Sequence, residues 1–148
     1  MFDNKENLFQ DLVVHRLNLA IEQALAALAE EAKFQQRFIS ALLVFEKIFY
    51  EPIADSPHGA ELMDVSQSLA SEVMMKGISR FLAAMVDALS QAEKAGEVSF
   101  KNSALKPQAF VELLFTTFGG IKKKASSTAE FRKLVKQTTE IFLQSVSK

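Results

Sequence analysis

The chain has 148 residues, 49% of them hydrophobic, which suits one domain over residues 1–148 with its own core. It has no cysteine, which excludes disulfides, thiolate metal sites and thiol catalysis, and a formal net charge of -1 disfavours nucleic-acid binding through a general basic field. The longest charge-free run, residues 113–121, falls well short of the roughly 20 residues of a membrane-spanning helix. We therefore expect a cytoplasmic protein without membrane contact.

Apolar residues recur every three or four positions over most of the chain, which predicts an all-α fold, an antiparallel bundle of about six helices. The first helix is predicted from Asn4, whose side chain can cap it, to about Glu31. The second is predicted from about Phe34 to Tyr50, where Pro52 stops it. Since this second helix is mostly apolar, we expect it to be deeply buried.

The middle of the chain begins with a stretch of turn-forming residues, 51–59, which predicts a connection between helices. Ser56 and Pro57 are suited to cap and open a short helix over about 56–68. A long helix follows over about 69–95. Gly96 then occupies the position after a helix where glycine is favoured, so we expect the long helix to end there.

Two further helices are predicted in the last third of the chain. Pro107 opens the first of them, which ends near the lysine run 122–124. Lysines in a last turn interact favourably with the helix dipole and the final carbonyls, and we prefer this interpretation to a phosphate-binding cluster. Ser127 and Glu130 have the spacing of a capping box, which predicts a last helix over about 128–146.

The chain opens with Phe2-x-Asn4-Lys5-Glu6-x-Leu8-Phe9. This stretch resembles a junction segment of TetR-type transcriptional regulators, in which the chain leaves the recognition helix of the helix-turn-helix and enters the regulatory domain. Other similar features are Gly96-Glu97-Val98 after a long helix, Lys106-Pro107 at a helix start, Gly119-Gly120 near its end, and Phe131-Arg132-x-Leu134 in the last helix. The resemblance implies a regulatory domain whose DNA-binding helices are missing, because the chain starts at this junction.

The resemblance also implies how such a domain works. It would be a homodimer, either repressor or activator, that binds a small apolar or aromatic effector in a cavity among its helices and needs no cofactor. Effector binding would shift the first long helix and change the spacing of two DNA-reading heads, so DNA is contacted only through the missing helix-turn-helix. Two alternatives stay open: a stand-alone helical carrier of apolar small molecules, and a structural bundle with a filled core.

Two apolar stripes, on the second helix and on the long helix, carry the predicted ligand site. They combine phenylalanine rings with flexible thioethers, which tolerate varied guests, although most of these side chains also suit a core. Because the TetR cavity lies among these helices, the resemblance assigns to it Phe38, Leu42, Phe45, Phe49, Met74, Ile78, Phe81, Met85 and Phe115, with His58 at its mouth or in a solvated turn. The polar side chains that could line it are Ser40, Glu46, Ser71, Ser79 and Thr116.

The helix opened by Pro107 is apolar over an arc of about 200°, against the roughly 100° that a surface helix buries. The core of one chain cannot bury all of that surface. We therefore predict a homodimer in which this helix and the last helix of two copies form a four-helix interface. The alternative is that this helix is central within the monomer. The predicted interface consists of Phe110, Leu113, Leu114, Thr117, Phe118, Ile121, Phe131, Leu134, Val135, Thr138 and Phe142.

Catalytic and metal-binding patterns are missing from the sequence. His15 and His58 are the only histidines, neither has a second ligand at a spacing that suits a metal on one helix face, and His15 lies off the apolar stripe of the first helix. The chain contains neither a Gly-x-Ser-x-Gly turn nor a glycine-rich phosphate loop. We therefore expect no catalytic residue, no metal, no cofactor and no enzymatic activity.

Overall fold

The computed structural model describes residues 4–57 and 71–148. Within these ranges all regular structure is helical, apart from one isolated bridge between Val98 and Ser147, so the predicted all-α fold is confirmed. The helices are α1 (Asn4–Leu28), α2 (Phe34–Phe49), α3 (Glu51–Ala54), α4 (Ser71–Lys94), α5 (Pro107–Lys124) and α6 (Thr128–Gln144). None of these helices is both long enough and apolar enough to cross a membrane.

Helix α2 lies at the centre of the bundle, as its apolar sequence predicts. It packs against α1, α3, α4 and α6, while α5 lies between α4 and α6. Half of its positions are buried: Phe34, Phe38, Ile39, Ala41, Leu42, Phe45, Glu46 and Phe49. One of these eight, Glu46, is charged.

Helix α1 buries a narrower stripe than the sequence predicts. Leu12 and Leu25 fit the apolar spacing of this helix and are expected in its stripe, but their side chains are 57% and 37% exposed. Apolar residues at the edge of a helical stripe can face either the core or the solvent, and only the neighbouring helices decide which. Among the side chains of α1 that the structure describes, the buried ones are Val13, Leu17, Ala20, Ile21, Ala24 and Ala27.

The chain directly after α2 is helical, and the prediction of a plain connection there was wrong. Helix α3 begins at Glu51, with a single residue between it and the end of α2, and Pro52 lies in its first turn. Tyr50 between the two helices also has helical dihedral angles. Proline fits a first turn because its missing N–H would have no intrahelical partner there, so Pro52 starts a new turn instead of stopping regular structure.

Helix α4 ends as predicted at Gly96, which has a φ of +80°. The N–H of Glu97 donates to the carbonyl of Ala92 at 2.9 Å, and the N–H of Gly96 donates to the carbonyl of Glu93 at 3.0 Å. This pair of bonds is the Schellman motif, which favours glycine because only glycine adopts positive φ without strain. The predicted start of this helix, and most of the short helix predicted over 56–68, lie outside the described residues.

The capping box of α6 is confirmed with one change of partner. Ser127 Oγ accepts a hydrogen bond from the N–H of Glu130 at 3.1 Å, which is the predicted half of the motif. The carboxylate of Glu130 reaches back, but its Oε1 accepts from the N–H of Ser126 at 3.1 Å. Two N–H groups near the start of α6 are thereby satisfied by side chains, which fixes where the helix begins.

A bidentate ion pair joins α6 to α3. Arg132 Nε donates to Oε2 of Glu51 at 2.9 Å, and its Nη2 donates to Oε1 at 2.8 Å. The carboxylate of Glu51 is buried, whereas the guanidinium of Arg132 remains half exposed. Two parallel bonds of this kind fix the orientation of both groups, so this pair sets how α6 lies against the end of α2.

We expect the Glu51→Gln substitution to lower the free energy of unfolding by about 1 kcal/mol, because the neutral amide cannot accept both guanidinium bonds. Urea denaturation followed by circular dichroism measures the change. Glu22→Gln is the control, since Glu22 is an exposed carboxylate on α1 and its loss should leave the free energy of unfolding nearly unchanged. Equal effects of the two substitutions would contradict a role for the α3–α6 ion pair.

Candidate functional site

The structure brings most of the predicted ligand-site residues into one core. Seven of them are buried: Phe38, Leu42, Phe45, Phe49, Met74, Phe81 and Met85. Ile78 and Phe115 are partly buried and pack against the same cluster. His58 lies outside the described residues.

Two of these rings are in direct contact, one from each predicted stripe. The rings of Phe45 on α2 and Phe81 on α4 stack with centroids 4.3 Å apart and planes 6° from parallel. Phe115 on α5 meets both at an angle, with centroid distances of 6.1 Å and 6.4 Å. Aromatic rings at this separation leave no room for a guest, so a ligand cannot lie between Phe45 and Phe81 and must bind beside the stack.

Glu46 follows Phe45 on α2 and is the unusual member of this core. Its side chain is only 1% exposed. Neither carboxylate oxygen has a well-directed hydrogen bond from any of the described residues. Burying a carboxylate in this way costs free energy unless a charge or a donor compensates it.

The compensating charge comes from Lys122, near the end of α5. Its Nζ lies 3.1 Å from Oε2 of Glu46, an ion-pair distance, although the direction of approach is poor for a hydrogen bond. Its side chain keeps 23% of its surface accessible. Lys122 was predicted to cap the carbonyls of its own helix, and the structure instead places its ammonium on a carboxylate of α2.

Two aromatic faces complete the surroundings of this ammonium. Lys122 Nζ lies 4.7 Å from the ring centroid of Tyr50 and 5.9 Å from that of Phe115. Both distances are within the range of a cation–π attraction, which increases when the cation is partly shielded from water. We call Glu46, Tyr50, Phe115 and Lys122 the Glu46 cage.

Burial changes the titration of two groups in the Glu46 cage. Desolvation raises the pKa of Glu46 above its ordinary value, and this exceeds the lowering by the charge and close contact of Lys122, while the carboxylate of Glu51 raises it further. Desolvation, together with the carboxylates of Glu46 and Asp55, also raises the pKa of Tyr50. The cage is therefore a place where a cation is favoured and a second anion is not.

The other predicted polar side chains do not join the cage. Ser79 and Thr116 are exposed and Ser40 is partly exposed, while nothing is described for the side chain of Ser71. Glu46 is the member of this group that the structure places inside the core. The segment Leu43-Val-Phe-Glu46-Lys-Ile-Phe49 is apolar except for Glu46 and Lys47, and a carboxylate in such a segment is the sequence signal that could have singled it out.

A second feature lies on the opposite side of α5. An open groove runs between α5 and α6, and exposed apolar side chains flank it, Leu113 at 48% and Ile141 at 66% exposure. We call it the α5/α6 groove. It is lined by Thr117, Gly120, Ile121 and Lys124 from α5, and by Ala129, Glu130, Lys133, Leu134 and Gln137 from α6.

The predicted dimer interface divides into two groups in the structure. Five of its residues are buried in the core of this chain and leave no surface for a second copy: Phe110, Leu114, Phe118, Phe131 and Val135. The other six keep accessible surface: Leu113, Thr117, Ile121, Leu134, Thr138 and Phe142. The predicted arc had included both the core-facing and the outward-facing sides of α5, because periodicity alone does not show where one ends.

Two smaller clefts lie on the surface, one between α4 and α5 and one between α2 and α6. The second has an apolar floor with Lys47 and Lys136 at its rim. Neither these two clefts nor the α5/α6 groove contains any of the nine predicted ligand-site residues that the structure describes. The Glu46 cage is therefore the part of the predicted site that combines burial with unmet polar chemistry.

A metal centre is not formed by the described residues, which contain no group of three or more histidine and carboxylate side chains suited to hold one ion. His15 is exposed on α1, as its position off the apolar stripe predicts. Comparison with known protein families, curated proteins and solved structures gives no match to this chain. The functional interpretation therefore rests on the Glu46 cage and the α5/α6 groove.

Proposed function

We propose that this chain is an effector-sensing and dimerisation domain similar to the regulatory domain of TetR-type transcriptional regulators. One observation carries the proposal: α5 takes part in the Glu46 cage through Lys122 and Phe115, and it forms one wall of the α5/α6 groove. A ligand that changes the position of Lys122 would act on the same helix that contacts a second copy. Such coupling requires that the ligand prefer one of two arrangements of that helix.

The α5/α6 groove supports the dimerisation part of the proposal. Leu113 and Ile141 are large apolar side chains left in solvent, and Ile121 and Leu134 are partly exposed between them. Gly120 adds no side chain to the groove, which permits close approach of another helix. Paired about a two-fold axis, α5 and α6 of two copies would bury this surface in a four-helix interface.

The Glu46 cage supports the sensing part. A buried carboxylate without a good donor lowers the stability of the free domain, and groups of this kind are concentrated at functional sites. The site lies beside the Phe45–Phe81 stack, so an apolar or aromatic part of an effector would find adjacent rings. In a structural bundle with a filled core, an apolar side chain at this position would avoid the free-energy cost of burying a carboxylate.

We expect the chain to sediment as a dimer at tens of micromolar, and the Leu113→Arg variant to sediment as a monomer. The arginine would place an unpaired charge beside the α5/α6 groove, where the second copy would bury it, whereas exposed Leu113 contributes little to the fold of one chain. Sedimentation equilibrium measures the mass against the 16.5 kDa of one chain.

The matched control is Leu12→Arg, which replaces a similarly exposed leucine on α1, away from the α5/α6 groove. This variant should remain dimeric. A monomeric parent chain would overturn the dimerisation proposal and favour the carrier or the structural bundle. A dimer that survives Leu113→Arg but is lost in Leu12→Arg would place the interface on α1.

A further inference from the structure

The Glu46 cage already holds a cation, and that cation belongs to the chain itself. The ammonium of Lys122 lies against the carboxylate of Glu46 and over the rings of Tyr50 and Phe115. A carboxylate together with aromatic faces is the combination by which proteins hold organic cations. Lys122 thus occupies the place that an external cation would take.

The fit of Lys122 to this place is incomplete. Its Nζ pairs with one oxygen of Glu46 at 3.1 Å without good hydrogen-bond direction, and the other oxygen has no partner among the described residues. An ammonium on a flexible stem offers one point of contact to a carboxylate. A planar group with two parallel N–H bonds would satisfy both oxygens at once.

We propose that the Glu46 cage is a binding site for an organic cation of the amidinium or guanidinium class, which displaces the ammonium of Lys122. The planar cation would donate two N–H bonds to Glu46 and lie over Tyr50 and Phe115. This inference rests on the proposed function, since it names the chemical class of the effector. It adds a charged group to the apolar or aromatic body that the resemblance to TetR-type regulators implies.

The charge of the site decides against other ligand classes. An anion would face the carboxylates of Glu46 and, beyond it, Glu51, both of them buried. A neutral apolar molecule would leave both oxygens of Glu46 without a donor, which costs free energy in a buried site. A cation with N–H donors removes that cost.

The route into the site passes Lys122. Its side chain is partly exposed at the last turn of α5, whereas Glu46 is fully enclosed. The four-carbon stem can swing outward into water, where a lysine is well solvated. Binding therefore exchanges an internal cation for an external one, and the apolar body of the ligand would point along the path that the stem vacates.

Benzamidinium is the probe, and its binding to the full chain is measured by isothermal titration calorimetry and by the shift in melting temperature. Two control compounds separate the contributions. Benzamide has a similar shape without the charge, and benzyltrimethylammonium has a charge without an N–H donor. We expect benzamidinium to bind roughly 10- to 100-fold more tightly than either control, the range that charge-assisted hydrogen bonds contribute.

The Glu46→Gln variant tests the carboxylate with almost no change in side-chain volume. It should bind benzamidinium roughly 10- to 100-fold more weakly and lose the preference for it over benzamide. Lys122→Met removes the internal competitor and keeps the apolar stem. At a pH high enough to ionise Glu46, this variant should bind benzamidinium more tightly than the parent chain.

The pH dependence of binding gives an independent readout. In Lys122→Met the groups that still face Glu46 are the carboxylate of Glu51 from α3 and the phenol of Tyr50, which lies between α2 and α3, and neither supplies a positive charge. Glu46 then stays protonated up to a higher pH, and the binding of a cation must release that proton. The affinity of this variant should therefore rise more steeply with pH than the affinity of the parent chain.

The outcomes separate this inference from the proposed function. If benzamidinium does not bind at millimolar concentration, or binds Glu46→Gln as well as the parent chain, the cation site is refuted. The dimer measured by sedimentation is unaffected by that result. If the dimer is absent but benzamidinium binds through Glu46, the cation site stands and the regulatory proposal does not.

Discussion

We expect the Phe81→Ala substitution to lower the free energy of unfolding by about 3 to 5 kcal/mol, the range found when a large core side chain is removed. Phe81 has no accessible surface and stacks on Phe45, while Phe115 closes the cluster from α5. The substitution would leave a cavity where three helices meet, and these helices can collapse into it only in part. Urea denaturation followed by circular dichroism measures the loss.

The control for this substitution is Phe100→Ala. Phe100 lies in the loop between α4 and α5, is partly exposed, and contacts the ring of Phe110 at its edge. Phe100→Ala should lower the free energy of unfolding by clearly less than Phe81→Ala. A Phe81→Ala variant as stable as Phe100→Ala would mean that the space around the stack is already open, as the predicted ligand cavity required.

The second large effect concerns the ion pair of the Glu46 cage. We expect the double substitution Glu46→Leu with Lys122→Met to leave stability unchanged or to raise it by about 1 to 4 kcal/mol, because a buried ion pair often stabilises less than apolar side chains of similar size. Lys122→Met alone should destabilise the domain, since it leaves the buried carboxylate without its cation. Lys123→Met is the matched control: Lys123 is the exposed neighbour in the same helix turn, so its replacement should change stability little.

The pH dependence of stability has a definite sign for this pair. Burial raises the pKa of Glu46 in the folded domain, so the folded state holds its proton where the unfolded state has lost it. The stability that this proton contributes is complete below the ordinary pKa of glutamate and is lost as the pH rises towards the raised value. Urea titrations over this range should show a decrease in the parent chain that the double variant lacks.

Lys122→Met should show a steeper decrease than the parent chain, because removing the cation raises the pKa of Glu46 further. If the parent chain and the double variant follow the same pH dependence, Glu46 is not the group responsible. That result would also weaken the expectation that Lys122→Met binds benzamidinium in a strongly pH-dependent way.

Local signals in the sequence predicted the helix ends well. Gly96, Pro107 and the Ser127–Glu130 pair each act within one helical turn, through a positive φ, a missing N–H or a short side-chain hydrogen bond. Their effect therefore hardly depends on the rest of the fold. The second helix ends before Pro52 as predicted, but the short helix α3 that contains Pro52 was not predicted, because the same property, a missing N–H, can end one helix or begin the next.

The candidate site depended on contacts that no local pattern contains. Glu46 and Lys122 are far apart in the sequence, and periodicity shows that α2 is buried without showing which helix supplies a cation. The apolar stripes that contain Phe45 and Phe81 would have the same periodicity in the sequence whether the two rings face a cavity or stack on each other. Leu113 and Leu114 are adjacent and chemically identical, yet one is exposed and the other buried, because only the packing of α4 and α6 sets the rotation of α5.

The glycine pair in α5 gives that helix a mechanical property. A Cβ atom added at Gly119 or Gly120 would meet nothing within 4 Å, so neither glycine is needed for the packing of this chain, and both reduce helix stability by roughly 0.5 to 1 kcal/mol relative to alanine. They lie between Phe118, which is buried in the core, and the last turn of α5, which carries Lys122. Because glycine is a weak helix former, a displacement of Lys122 would bend α5 most readily at this pair, and Ile121 and Lys124 in the α5/α6 groove would move more than Leu113.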